Sequence, residues 1–124
     1  MDGNHVVWDT LEAQTVIPGF HGKFAHSANM TFVLWEIDEG ALLPPHSHPH
    51  EQVVHVFEGA LQVNLAGEEH VLHGGSVGII PSNVVHSGKA LTRCRVMDVF
   101  FPRREDYTDK GAPSLLQAAM APNN

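Results

Sequence analysis

The sequence predicts an all-β protein, a sandwich or barrel of many short strands, and three observations carry that expectation. Hydrophobic residues recur with a period of two; Gly, Pro or Asn interrupts them every eight to twelve residues; and runs with helical periodicity are almost absent. The 124 residues have the length of one domain. A domain of that size buries about two thirds of its unfolded surface, enough for a self-sufficient core.

The elements follow in order from these signals. The β-branched run Thr15–Ile17 is stopped by Pro18 and Gly19, and Gly22–His26 resumes after them. Thr31–Ile37, "TFVLWEI", is rich in the β-branched and aromatic residues that fit a pleated surface, and the turn residues "DEG" close it. Gln52–Glu58 and Leu61–Ala66 flank "EGA", and Glu69–Leu72 lies beyond "AGEE". Ser76–Ile80 falls between "HGGS" and "PSN", Val84–Ser87 between "PSN" and "SGKA", and Thr92–Phe100 is the last strand. The tail "APSLLQAAM" reads as one short helix with Ser114 as its N-cap. No internal boundary or solenoid repeat divides residues 1–124, so one domain is expected.

Seven Lys and Arg stand against 14 Asp and Glu, a formal charge of −7. That balance opposes nucleic-acid binding, which needs clustered cations to neutralise phosphates. No apolar run approaches the roughly 20 residues of a membrane helix. The start "MDGNHVVWDTLE" is acidic and lacks the order of a signal peptide, so a cytoplasmic location without membrane contact is expected. The single Cys94 cannot form an internal disulfide and reads as a buried, inert thiol. Ten His are the composition's unusual feature, since His is both the commonest metal ligand and a proton carrier near neutral pH.

Strand parity sorts the candidate residues, because side chains two apart share a face. His46 and His48 point the same way, and an extended chain through "PHEQVVHVFEG" keeps Gln52, Val54 and Val56 on that face while Val53, His55 and Phe57 take the other. In the last strand Cys94, Val96, Asp98 and Phe100 share a face that is apolar except at Asp98. A carboxylate on such a face is costly unless it is paired, neutralised or used.

A lone HxH is a weak metal signal, but its surroundings strengthen it. Gly40, five residues, "HSH", three residues, Gln52, six residues and Gly59 form one run; Gly75, five residues, Pro81, one residue, Asn83, two residues and His86 form a second. These two runs resemble the first and second cupin motifs, in order and at residues 40–59 and 75–90. The resemblance implies a small double-stranded β-helix of the jelly-roll class with one divalent metal per chain, held by His46, His48, Gln52 and His86. Three departures stand out: Gln52 for the usual Glu, Asn83 for the usual Gly, and Ala90 where Asn is common. A neutral Gln leaves the cation its full charge, making it a stronger Lewis acid and a better magnet for an anion, although less tightly held. Nitrogen-rich sets suit Ni, Zn, Mn, Fe or Co. His50, His55, His70 and His73, with His5, His21 and His26, read as structural or surface residues.

The phrases "PGFHGKFAHSANMT", "HSHPHEQVVHVFEG" and "IIPSNVVHSGKALTRCRVMDVFFPRREDY" are similar to the small cupins of the KdgF type, from about Val16 to Tyr107. In that group Gln replaces the Glu ligand. The resemblance implies conversion of cyclic 4,5-unsaturated uronates from pectin or alginate lyases into linear 4-deoxy-5-keto uronates. It further implies roles for Asp98, Phe100 and Arg104, with Arg103 adjacent as the competing arginine. Asp98 would move protons, Phe100 pack on the sugar, and Arg104 pair the sugar carboxylate, preferably as a bidentate fork. A homodimer is expected by the same resemblance, with "MTFVLWEI" and the Trp8 segment open as interface or core. Two rival readings stand beside this one: another small metallo-cupin enzyme, a dioxygenase or sugar isomerase, and a non-enzymatic sugar-binding or sensor cupin.

Overall fold

A computed structural model describes residues 3–108. It contains ten strands: β1 Gln14–Ile17, β2 Phe20–His26, β3 Thr31–Ile37, β4 Leu42–His46, β5 Glu51–Glu58, β6 Ala60–Leu65, β7 Glu68–His73, β8 Val77–Ile80, β9 His86–Ala90 and β10 Cys94–Phe101. They pair antiparallel into a six-stranded sheet, β1-β2-β3-β10-β5-β8, and a four-stranded sheet, β4-β9-β6-β7. The helix expected at "APSLLQAAM" lies outside the described residues. No helix among those described is long and apolar enough to cross a membrane.

Alternation along the central strands creates the interior between the sheets. In β3 Val33, Trp35 and Ile37 face inward, in β5 Val54 and Val56, and in β10 Cys94, Val96 and Phe100. "MTFVLWEI" is therefore largely core along its inward positions. Val33 and Val56 are completely shielded from solvent, and burying each contributes about 1.5–3 kcal/mol. Cys94 is buried as expected, and burial raises its thiol pKa.

Two glycines permit close approaches that position the interior. A Cβ on Gly22 would lie 2.6 Å from the Trp35 ring, so β2 passes against the indole face only because no side chain intervenes. Gly59 has φ +94° and a Cβ there would meet the Arg93 carbonyl at 2.3 Å, so the β5–β6 turn excludes any side chain twice over.

Two strands depart from the sequence expectation. β4 was hidden by Pro44 and Pro45, which suppress a strand reading; it survives because it is an edge strand, where missing donors cost least, and its register shifts between Leu43 and His46. β9 begins at His86 rather than Val84 and runs through the "SGKA" expected to be a turn. Pairing with β6 on one side and β4 on the other overrides the local turn signal there.

Candidate functional site

The His-rich stretch links the two sheets. His46 ends β4 in the four-stranded sheet, opposite His86 at the start of β9, while Gln52 lies on β5 of the six-stranded sheet. The chain bends at Pro49 and His50 instead of remaining extended, yet Gln52, Val54 and Val56 still face inward. A turn holds this bend. The Asn83 N–H donates to the His48 carbonyl at 2.8 Å, and the Ser82 hydroxyl donates to the Pro49 carbonyl. Asn83 has φ +64°, which explains its place at a position the motif usually gives to Gly: Asn is among the few other residues that tolerate that conformation.

His46, His48 and His86 bring ligand atoms within 4.8 Å of one another, a group that could hold a metal ion. Their backbone contacts decide which nitrogen is available. Each Nδ1 meets a carbonyl: Pro44 at 2.8 Å for His46, His50 at 3.0 Å for His48, and Val84 at 2.9 Å for His86. A carbonyl only accepts, so every Nδ1 carries the proton and every Nε2 presents a lone pair. The His86 Nε2 is buried without a hydrogen-bond partner among the described residues, and the His48 Nε2 stands 3.1 Å from the Gln52 Oε1. Lone pairs converging in this way, each imidazole oriented by a second contact, match the donor set of a divalent cation. Burial also keeps the rings neutral, lowering the pKa of His46 and of His48 to about 4 and that of His86 in the same direction.

Asp98, on the inward face of β10, joins this group. His46, Gln52, His86, Asp98, Phe100 and Arg104 line one pocket, whose inner wall is aliphatic at Val54, Leu61 and Val96. Burial raises the Asp98 pKa to about 6 although Gln52, Trp35 and Arg104 each favour its charged form. The Trp35 indole donates to Asp98 Oδ2 at 2.9 Å, whereas Oδ1 is buried without a partner among the described residues. Phe100 is buried with its ring edge-on to His48 at 5.7 Å.

The two arginines part company. Arg104 is 1% exposed and lines the pocket; Arg103 lies outside it, its guanidinium near Glu105 and the Ser27 carbonyl. The bidentate fork expected for a sugar carboxylate is already engaged. Arg104 Nε and Nη2 donate to the two carboxylate oxygens of Asp106 at 2.8 and 2.7 Å. His50 also differs from a surface reading, since it is 8% exposed beside His48 and Phe100. His55 faces outward and stacks on Phe57. Sequence reasoning passed over Trp35, Asp106 and Tyr107. For Trp35 a signal existed in the inward parity of β3; for Asp106 and Tyr107 it lay only in the run "RREDY".

Comparison with known proteins follows the same lines. A cupin domain profile matches residues 33–100. The chain is 30% identical over 83 residues to the pectin degradation protein KdgF of Dickeya dadantii (strain 3937), covering 65% of this chain and 76% of that protein. The solved structure of KdgF from Halomonas sp. superposes with a TM-score of 0.81 at 34% identity, over 86% of this chain and 99% of the other. A RmlC-like cupin from Shewanella frigidimarina NCIMB 400 gives 0.80 at 28% identity, over 86% and 96%.

Proposed function

Since the chain belongs to the cupin family and is of the KdgF type, we propose that it converts the cyclic 4,5-unsaturated uronates released by pectin or alginate lyases into linear 4-deoxy-5-keto uronates. The observation that supports this most is the juxtaposition in one pocket of Asp98, with a pKa raised to about 6, and of His46 and His86, whose ligand atoms converge with that of His48. A proton carrier thus adjoins a set of cation ligands.

His46, His48, Gln52 and His86 would hold one divalent cation, which supplies Lewis-acid polarisation of the sugar's carboxylate or ring oxygens when bound. The chain's own groups do the rest. In the reaction the hydroxyl proton leaves O1, the C1–O5 bond breaks, C1 becomes an aldehyde, and the oxygen retained on C5 is left as an enolate; C4 then takes a proton and C5 becomes a ketone. No atom is gained or lost. Asp98, as carboxylate, accepts the O1 proton and, as acid, returns one to C4, a double duty suited to a pKa near the working pH. Its Oδ1 is the oxygen for that exchange, because the Trp35 N–H engages Oδ2. Phe100 narrows the pocket against the sugar ring, and Arg104 meets its carboxylate. We place this reaction in the cytoplasm.

The test is a rate. Metal-loaded protein is mixed with a freshly generated unsaturated uronate, and loss of the conjugated ultraviolet absorbance is followed. A rate well above the spontaneous one supports the reading; a rate equal to it, with metal bound, refutes it.

A further inference from the structure

Arg104 is held from every side by groups that nothing in the reaction requires chemically. Its backbone N–H donates to the Thr31 hydroxyl at 2.9 Å, and Thr31 is itself fully buried. Its guanidinium lies over two rings, with Cζ 4.7 Å from the Phe100 centroid and 4.2 Å from that of Tyr107. Such cation–π contacts are strongest where water is excluded. The Nε–Nη2 edge is closed by Asp106, whose side chain is 15% exposed. Tyr107 also shares a hydrogen bond with Arg104, and the Asp106 fork, using Nε and Nη2, leaves Nη1 as the end not engaged by that carboxylate.

We propose that Asp106 is a positioning residue, which occupies the Nε–Nη2 edge of Arg104 so that only the Nη1 end meets a sugar-acid carboxylate. The inference rests on the uronate reading for its substrate class, and on the observed fork for its geometry. It has a consequence for charge. Arg104 and Asp106 together are neutral, so the pair orients a carboxylate through a directed hydrogen bond but does not balance its charge. Balance falls to the His46, His48, Gln52 and His86 centre, whose ligands are all neutral. Asp106 thereby divides the labour: the cation attracts the anion, and Arg104 sets its angle. Without Asp106 the fork is free to turn and grasp a carboxylate bidentately, pulling the sugar away from Asp98.

Two measurements test this. In the first, the Nε–H and Nη signals of Arg104 are followed by nitrogen-edited NMR in the wild-type chain while galacturonate, an unreactive sugar acid, is added. The proposal expects a slowly exchanging Nε–H that does not move and Nη signals that do; movement of Nε–H, or of neither, overturns it. This readout needs no turnover, so it stands apart from the fate of the uronate reaction. In the second, ketonisation is measured for Asp106→Ala, Asp106→Asn and each combined with Arg104→Lys. kcat should fall about tenfold in Asp106→Ala and less in Asp106→Asn, which retains one acceptor, with KM unchanged or lower because the freed fork holds the carboxylate more tightly but away from Asp98. In the Arg104→Lys background either change should add little, since the partner it acts through is gone. Equal and additive losses, or a fall in melting temperature with kcat unmoved, would mean that Asp106 is only a structural brace.

Discussion

At the scale of single residues the protein separates two kinds of buried polar group. The histidines are neutral because burial disfavours their charge, and their lone pairs are aimed by backbone carbonyls. Asp98 is kept near its titration point by the same burial. The sign for stability follows. In metal-free protein the folded chain holds the Asp98 proton more tightly than the unfolded chain, so stability is fully present below pH 3.8 and is lost as pH rises to about 6. By neutral pH the loss is about 3 kcal/mol at most. Metal-free Asp98→Asn should therefore be more stable than wild type at pH 7–8, the gap closing near pH 4, as denaturant melts at several pH values would reveal; its turnover should fall at least about 100-fold. Gln52→Glu should act oppositely on the centre. The added carboxylate binds the cation more tightly while weakening it as a Lewis acid, so calorimetry should report tighter metal binding and kinetics a slower reaction. Parity on the strands put His46, His48 and Gln52 on one face and singled out Asp98, whereas His86 entered only through the resemblance to the second cupin motif. The Arg104 fork was not legible, because its partner Asp106 lies two residues on in a 3-10 turn, Glu105–Tyr107, that has no strand alternation to read.

At the scale of elements the site depends on approaches between strands. Trp35 reaches Asp98 from β3 while Gly22 on β2 clears the space behind its ring. Gly22→Ala must displace the indole, since the new methyl carbon would sit 2.6 Å from it. We expect a loss of about 1–3 kcal/mol in stability, together with reduced turnover as the Trp35–Asp98 bond is strained. Thermal melts and kinetics on the same preparation check both. The longer strands were legible because β3, β5 and β10 alternate cleanly between an apolar and a polar side. β4 was not, because two prolines argue against a strand in any local reading, and only its edge position makes them tolerable. Those same prolines serve the site, since the Pro44 carbonyl orients His46. β9 was misplaced for a related reason: "SGKA" is turn-like alone and becomes strand only between β6 and β4.

At the scale of the molecule the candidate metal ligands come from both sheets, His46 and His86 from the four-stranded one and Gln52 from the six-stranded one. A cation held by them would tie the sheets together. Adding a divalent metal at about 100 times its Kd should stabilise the chain by about 2.7 kcal/mol, a rise of about 10 °C in Tm. The double variant His46→Ala/His86→Ala should lose that rise, and an equal rise in the variant would place the cation elsewhere. The acidic chain, at −7, would gain from a cation held there a local positive charge that its overall field lacks. Net charge was readable from composition; a place for such a cation was readable only through the two motifs. The most direct test of the account is to run the ketonisation in heavy water with metal-loaded protein and examine C4 of the linear product by NMR. Delivery by Asp98 to one face of the ring-opened C4=C5 bond predicts a single stereospecific deuteron there. Deuterium shared equally between the two positions at C4, as in the uncatalysed reaction, would contradict it.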